Sequence, residues 1–186
     1  MMRIGSGDRG GRRIKTKARA RRGLRPTSSR AKTAIFNILP HDLSGLKALD
    51  LFAGSGALGL EALSRGASLA VFVDAGREAF RLIQDNLRAL DYRDRGQLLN
   101  KRVGPALQEL QEHNAHFDLI FMDPPYDKGL VGKTLRQLAA ANLLKPEGTV
   151  VVEHSRREMP AASYPPLKLR DQRHYGDAWV SFYQIG

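Results

Sequence analysis

The fold class follows from one short segment, Asp50-Leu51-Phe52-Ala53-Gly54-Ser55-Gly56-Ala57-Leu58-Gly59. An apolar run over residues 47–52 precedes its glycines, and a helical pattern over residues 58–65 follows them. Glycines between a strand and a helix let the backbone turn tightly and approach a ligand above the carboxyl end of a parallel sheet. The segment therefore predicts the first strand, ligand-binding loop and helix of an α/β domain.

The same alternation of apolar runs and helical patterns continues on both sides of this segment. It predicts strands over residues 47–52, 69–74, 98–103, 117–122 and 148–153. Helices are predicted over residues 28–39, 58–65, 77–90, 105–112 and 130–141. Strands that alternate with helices form a parallel sheet with right-handed crossovers. Two final runs, 167–174 and 178–185, flank Tyr175-Gly176-Asp177 and predict an antiparallel hairpin, which completes a mostly parallel seven-stranded sheet.

The glycine loop alone is compatible with two cofactors. Gly54, Gly56 and Gly59 satisfy the dinucleotide fingerprint, and Asp74, 20 residues after Gly54, is placed to accept hydrogen bonds from ribose hydroxyls. The carboxylate of Asp50 suits a ligand ammonium and would repel a pyrophosphate. This favours S-adenosylmethionine over NAD. A P-loop is excluded, because no Gly-Lys-Ser/Thr follows the glycines.

A second motif, Asp123-Pro124-Pro125-Tyr126, follows the apolar run 117–122. It looks like the catalytic loop of an amino-methyltransferase. A carboxylate and a backbone carbonyl can accept both N–H bonds of an exocyclic amine and aim its lone pair at an electrophilic methyl group. Asp123 and the Pro124 carbonyl supply these acceptors, the prolines stiffen the loop, and Tyr126 offers a face to the base. The simpler alternative is a proline-rich turn after a buried strand.

Positive charge is concentrated at the start of the chain. Residues 1–32 contain twelve of the 30 Lys and Arg residues and one of the 19 acidic residues, which accounts for the whole net charge of +11. A neutral body with a cationic arm is typical of a protein that grips a polyanion, nucleic acid above all. A solubilising tail or a transit peptide would share this composition, but the glycines of the arm break any amphipathic helix.

Composition limits the remaining classes of function. The chain has no cysteine, which excludes disulfides and thiolate chemistry and fits a cytoplasmic protein. His113 and His116 have no third ligand nearby in the sequence, so no metal site is predicted. No run approaches the roughly 18 apolar residues of a membrane span, and the start lacks the apolar centre of a signal peptide.

Three motifs together closely resemble the RsmD-type bacterial 16S rRNA guanine-N2 methyltransferases. They are Arg25-Pro26-Thr27-Ser28-Ser29-Arg30 with Ile35-Phe36-Asn37-Ile38-Leu39, the glycine segment with Leu60-Glu61-Ala62-Leu63-Ser64-Arg65-Gly66-Ala67, and the Asp123 tetrapeptide. The likeness covers nearly the whole chain. It implies the class I methyltransferase Rossmann-like sandwich over residues 28–186, preceded by a basic RNA-binding arm over residues 1–27.

The resemblance also implies site residues. Asp123, Pro124, Pro125 and Tyr126 would hold the guanine amine and its base. The cofactor, S-adenosylmethionine, would contact Asp50, Phe52, Ala53, Gly54, Ser55, Gly56, Asp74 and Thr27. The RNA would contact Arg9, Arg12, Arg13, Arg21, Arg22, Arg25 and Arg30. One departure is that Val103-Gly104-Pro105-Ala106 offers no acid for the adenine ring, so no residue is assigned to that contact.

The implied partner is 16S rRNA in an assembling or assembled small ribosomal subunit, bound by a monomeric enzyme. Two alternatives remain. The same tetrapeptide serves adenine-N6 methylation of RNA or DNA, although this small chain has no obvious sequence-reading domain. A non-catalytic rRNA-binding assembly factor would keep the fold, but the intact tetrapeptide beside an intact glycine loop argues against it.

Overall fold

The structure, a computed structural model, describes residues 2–16 and 29–186. The predicted positions Thr27, Arg21, Arg22 and Arg25 lie outside these residues. The helices are α1 Ser29–Ile38, α2 Ala57–Ser64, α3 Arg77–Leu90, α4 Val103–Glu112 and α5 Leu130–Ala141. Within the two described ranges, none of the helices has the length and apolar character needed to span a bilayer.

The strands are β1 Met2–Arg3, β2 Arg13–Ile14, β3 Lys47–Leu51, β4 Leu69–Val73, β5 Gly96–Leu99, β6 Phe117–Met122, β7 Leu144–Ser155, β8 Ser163–Tyr164, β9 Leu167–Tyr175 and β10 Ala178–Ile185. Eight of these strands form one sheet in the described part of the chain, in the order β5-β4-β3-β6-β7-β10-β9-β8. The strands from β5 to β7 are parallel, and β10, β9 and β8 add to that sheet in antiparallel fashion.

Helices cover both faces of this sheet. One core cluster joins the sheet to α1, α2 and α3 and includes Phe36, Leu60 and Phe72. The other joins it to α4 and α5 and includes Leu107 and Leu135. The sheet strands are apolar on both faces because each face is buried, as expected for a parallel sheet. The predicted α/β sandwich with an antiparallel C-terminal hairpin is confirmed.

Several strand bounds of the prediction were wrong, most clearly those of the third strand; the fifth strand, β7, is also longer than predicted. The third strand was expected to continue to Val103, but β5 ends at Leu99 and Val103 is the first residue of α4. Pro105 falls in the first turn of that helix, where its missing N–H has no intrahelical partner to lose. The sheet also has an eighth strand, the two-residue β8, within the connection that was expected to be irregular.

The first part of the basic arm folds against the domain. Met2–Arg3 (β1) pairs with Arg13–Ile14 (β2) in a short antiparallel hairpin. Ile4 and Ile14 are each about 1% exposed and belong to the core cluster of α1, α2 and α3. Burial of two isoleucines, worth about 1.5–3 kcal/mol each, holds the hairpin on the domain despite its positive charge.

A buried carboxylate anchors the same hairpin. Glu61 of α2 is 1% exposed and accepts hydrogen bonds from the backbone N–H groups of Gly5 and Ser6, at 2.6 and 3.0 Å. Its ion pairs with Lys32 and Arg65 measure 2.7 and 3.0 Å. Burial opposes ionisation, but these cations and N–H donors outweigh it and lower the pKa of Glu61. The hairpin therefore closes over a satisfied buried charge rather than an isolated one.

Candidate active site

The predicted site residues meet where the chain reverses its direction across the sheet. From β3 the chain adds β4 and β5 on one side, and then β6 and β7 on the other. Crevices at such switch points, outside the carboxyl ends of the strands, are the ligand sites of open α/β sheets. Leu51 of β3 pairs with Met122 of β6, so the glycine loop and Asp123 leave the sheet side by side.

The glycine loop has the backbone that a close ligand approach requires. Phe52, Gly54 and Gly56 have φ angles of 60°, 56° and 77°, in the left-handed region. Behind the loop, a Cβ on Gly59 would lie 2.3 Å from Cε1 of the buried Phe72, so only glycine lets α2 pack this closely on the sheet. The loop is thereby held against the edge of the sheet, with Ala53 buried and Ser55 half-buried.

Two carboxylates shape this loop through backbone hydrogen bonds. Asp50, only 2% exposed, accepts the Gly59 N–H at 2.9 Å. Asp74, at the end of β4, accepts the N–H groups of Gly54 and Gly76 at 2.9 and 2.7 Å. Each carboxylate oxygen has two lone pairs, so both side chains keep acceptor capacity for a ligand.

Asp50, Asp74 and Asp123 form a cluster of like charge. Burial raises the pKa of Asp50 well above its ordinary value, the Gly59 N–H opposes this, and the charges of Asp123 and Asp74 raise it further. Within the described ranges, no group of three or more acidic or histidine side chains is arranged to hold a metal ion. A bound cation would relieve the repulsion among the three aspartates. The three carboxylates therefore suit a positively charged ligand.

The tetrapeptide directly follows β6, and its first residue, Asp123, belongs to this cluster. Asp123 is half-buried, Pro124 is buried and Pro125 is exposed. The Tyr126 hydroxyl donates a hydrogen bond of 2.9 Å to Oε1 of Glu153, at the end of β7. The loop is thus fixed at both ends, by β6 before Asp123 and by this bond after it.

Sequence reasoning missed Glu153. Its side chain is 3% exposed, and its Oε2 atom has no hydrogen-bond partner among the described residues. Burial and the charge of Asp123 raise its pKa to about 8, although the Tyr126 hydrogen bond opposes the shift. Near neutral pH, Glu153 therefore favours its protonated form. The sequence does contain one signal for this residue, since Glu153 is an acidic residue at the end of a predicted apolar strand.

Asn86 was also missed. It lies on α3, is 1% exposed, and joins the N-terminal hairpin to the glycine loop. Its Oδ1 accepts the Lys15 N–H at 2.8 Å, and its Nδ2 donates to the carbonyl oxygens of Lys15 and Ser55 at 2.9 and 3.0 Å. Asn86 therefore links the end of the N-terminal hairpin to Ser55, a predicted cofactor-binding residue.

The predicted RNA-contacting arginines have different surroundings. Arg12, Arg13 and Arg30 are exposed. Arg9 instead donates to the Leu90 carbonyl at 2.9 Å and lies 5.7 Å from the centre of the Tyr92 ring, near the C-terminal end of α3. Arg9 therefore stabilises the hairpin at the amino-terminal edge of the sheet, away from Asp123.

Comparison with known proteins agrees with this geometry. A sequence model of the family described as Conserved hypothetical protein 95 matches residues 2–184. The chain is 36% identical over 163 residues to the ribosomal RNA small subunit methyltransferase D of Haemophilus influenzae, covering 87% of this chain and 83% of that protein.

Solved structures show the same fold. A hypothetical protein of Thermus thermophilus superimposes with a TM-score of 0.82 at 29% identity, over the full length of both chains. A candidate methyltransferase complexed with SAH gives a TM-score of 0.68 at 16% identity, over 88% of this chain and 50% of that one, which supports the fold alone. The chain belongs to the Conserved hypothetical protein 95 family, together with the ribosomal RNA small subunit methyltransferases D.

Proposed function

We propose that this protein transfers a methyl group from S-adenosylmethionine to the exocyclic N2 of a guanine in 16S rRNA, within the small ribosomal subunit. The main support for this proposal is the position of Asp123-Pro124-Pro125-Tyr126. The tetrapeptide lies at the switch point of the sheet, beside Asp50 and Asp74. The named rRNA methyltransferase relatives support the reaction and the substrate class.

The acidic cluster fits the cofactor. S-adenosylmethionine supplies an electrophilic methyl group on a positively charged sulfur, together with an ammonium and a ribose. Asp50 is placed below the glycine loop, where it would hold the ammonium, and Asp74 would accept hydrogen bonds from the ribose hydroxyls. Between the ammonium and the ribose, the cofactor would lie against the glycine loop, at Phe52, Ala53, Gly54, Ser55 and Gly56. Thr27 would close over the bound cofactor.

The tetrapeptide would act on the amine. The Asp123 carboxylate and the Pro124 carbonyl would accept the two N–H bonds of guanine N2 and hold the nitrogen near tetrahedral geometry. Positive charge would develop on that nitrogen as the N–C bond forms and the S–C bond to the sulfonium breaks, and Asp123 would stabilise it. The methylated amine is acidic and would then lose one proton to solvent. Tyr126, held by Glu153, would stack on the base. Most of the rate enhancement then comes from positioning and electrostatics, and no strong general base is needed.

The base must be unpaired, or flipped out of its helix, to reach this loop. Unstacking costs about a few kcal/mol, which phosphate contacts from the cationic arm can offset. We assign these contacts to Arg12, Arg13 and Arg30, and to Arg21, Arg22 and Arg25 in the part of the chain outside the described residues. Arg9 adds to the positive charge of the arm in addition to its structural contacts.

We further propose that the enzyme acts as a monomer in the cytoplasm, with residues 1–27 as an RNA-binding extension of the domain over residues 28–186. Among the described residues, one large apolar side chain is exposed to solvent. It is Met159, which is 45% exposed. An obligate dimer would be expected to present a broader apolar face. Size-exclusion chromatography with light scattering tests this assignment, and a dimer of about twice 20.6 kDa would contradict it.

The function is tested by Asp123→Ala. The variant should lose methyl transfer to unmodified small subunits while it still binds S-adenosylmethionine, which isothermal titration calorimetry measures. Asp94→Ala is the matched control, because Asp94 is an exposed aspartate in the short helix Arg93–Arg95 at the opposite edge of the sheet. Full turnover in Asp123→Ala would overturn the catalytic role of this residue.

A further inference from the structure

A groove of about 470 Å³ lies beside the catalytic loop, on the side of the C-terminal hairpin. Tyr126 and Asp127 form one wall, and the residues after β7 together with the end of the β9–β10 hairpin form the rest. None of the roles proposed above uses this space. Tyr126 lines this groove and also belongs to the proposed catalytic loop. The groove therefore continues from the proposed position of the target base.

Two aromatic rings form a platform in the groove. Trp179 of β10 pairs directly with His174 of β9, and their ring centres are 5.1 Å apart with an angle of 41° between the planes. His174 is exposed and Trp179 is half-buried. Aromatic faces on a paired hairpin need little reorganisation to stack on a base, and stacking tolerates any base because each has a π face.

The polar side chains of the groove are balanced in charge. Arg156 and Arg157 are exposed cations, whereas Asp127 and Asp177 are exposed anions. Arg157 lies 3.7 Å from the Asp127 carboxylate. With little net charge, the groove is poorly suited to follow a run of phosphates. Guanidinium donors and carboxylate acceptors around aromatic faces suit the edges of a nucleobase.

We propose that this groove binds the nucleobase adjacent to the target guanine in single-stranded RNA, by stacking on Trp179 and His174. The proposal rests on the proposed function, since it extends the path of the RNA from Tyr126 toward the hairpin. Base stacking is thereby assigned to the C-terminal hairpin, whereas the phosphate contacts are assigned to the N-terminal arm.

The proposal is tested first with Trp179→Ala and Trp179→Phe, assayed on small subunits that lack the modification. A lost stacking contact should raise KM for the subunits about tenfold, with kcat within about twofold. The dependence of KM on salt should not change, because no phosphate contact is lost. Trp179→Phe should recover most of the affinity. Unchanged KM in a folded Trp179→Ala variant, or a Phe variant as weak as the Ala variant, would overturn the proposal.

A second measurement uses the unchanged protein. Trp179 is the single tryptophan of the chain, so its fluorescence reports on this groove alone. A single-stranded pentaribonucleotide with a central guanosine should quench the emission saturably, and His174→Ala should weaken that titration. Absence of quenching at RNA concentrations that saturate binding would contradict the proposal. If the wild-type enzyme forms no N2-methylguanosine but the quenching persists, the proposed reaction fails while the base-binding groove stands.

Discussion

The hydroxyl of Tyr126 donates a 2.9 Å hydrogen bond to Glu153, and this bond joins the Asp123–Tyr126 loop to the strand β7. Glu153 carries a proton near neutral pH because burial and the charge of Asp123 oppose its ionisation. In its protonated form, Glu153 accepts the Tyr126 hydrogen bond without placing a further negative charge in the site. In the proposed mechanism, Asp123 would face the amine and Glu153 would position the Tyr126 ring.

Tyr126→Phe should reduce kcat/KM by about tenfold or less. The variant keeps the ring but loses one hydrogen bond, whose net worth is about 1 kcal/mol. Affinity for S-adenosylmethionine should be unchanged, because no predicted cofactor contact is lost. Steady-state kinetics and calorimetry measure the two effects. A loss as large as that of Asp123→Ala would mean that the hydroxyl takes part in the chemistry.

Glu153→Gln should change the dependence of stability on pH. The folded pKa of Glu153, about 8, lies above its ordinary value of 4.5, so its stabilising contribution is complete below about pH 4.5 and is lost as the pH rises toward 8. Each pH unit in that window costs the wild type at most about 1.4 kcal/mol. The glutamine variant stays neutral and can still accept the Tyr126 hydrogen bond.

The free energy of unfolding, measured by urea titration at several pH values, should therefore favour Glu153→Gln increasingly between about pH 5 and about pH 8. Asp50 also has a raised pKa, but it is present in both the wild type and Glu153→Gln. Its contribution therefore cancels when the two free energies of unfolding are subtracted. A difference that is independent of pH would show that Glu153 titrates normally in the folded protein.

Gly59→Ala should destabilise the protein by about 1–3 kcal/mol, because the new Cβ would lie 2.3 Å from the Phe72 ring in a packed core. It should also weaken cofactor binding, since the Gly59 N–H supports Asp50. Gly104→Ala in α4 is the matched control, because its Cβ would meet only the flexible end of Gln137, at 3.2 Å. Thermal unfolding compares the two variants, and equal losses would contradict the packing argument.

Arg12→Gln combined with Arg13→Gln should weaken RNA binding and flatten its salt dependence. Each lost phosphate contact should reduce the slope of log K against log salt by about 0.7 for a single strand. Lys168→Gln with Arg170→Gln is the control, since both residues are exposed at the start of β9, far from the site. Filter binding at several salt concentrations measures the slopes. An unchanged slope in the arm variant would exclude these arginines as phosphate contacts.

Much of the domain could be predicted because its elements have strong local patterns. The bounds of α3, β6 and α5 match their predictions, since each has clear apolar periodicity and an evident end. Val103 misled the prediction of β5, because a β-branched residue after an apolar run favours a strand. Its place in α4 depends on packing rather than on intrinsic propensity.

The N-terminal hairpin and Glu153 could not be predicted in the same way. Ile4 and Ile14 are isolated apolar residues in a cationic segment, and their burial depends on partners more than 40 residues away, such as Glu61 and Asn86. The raised pKa of Glu153 arises from burial and from the neighbouring Asp123, which only the folded sheet brings together.

The identity of the methylated nucleoside distinguishes guanine-N2 methylation from its alternatives. The protein is incubated with labelled S-adenosylmethionine and small ribosomal subunits that lack this modification, and the 16S rRNA is then digested and its nucleosides are separated. We predict label in N2-methylguanosine, and none with Asp123→Ala. Label in N6-methyladenosine would contradict the substrate assignment, and tight RNA binding without incorporation would contradict catalysis and favour an assembly factor.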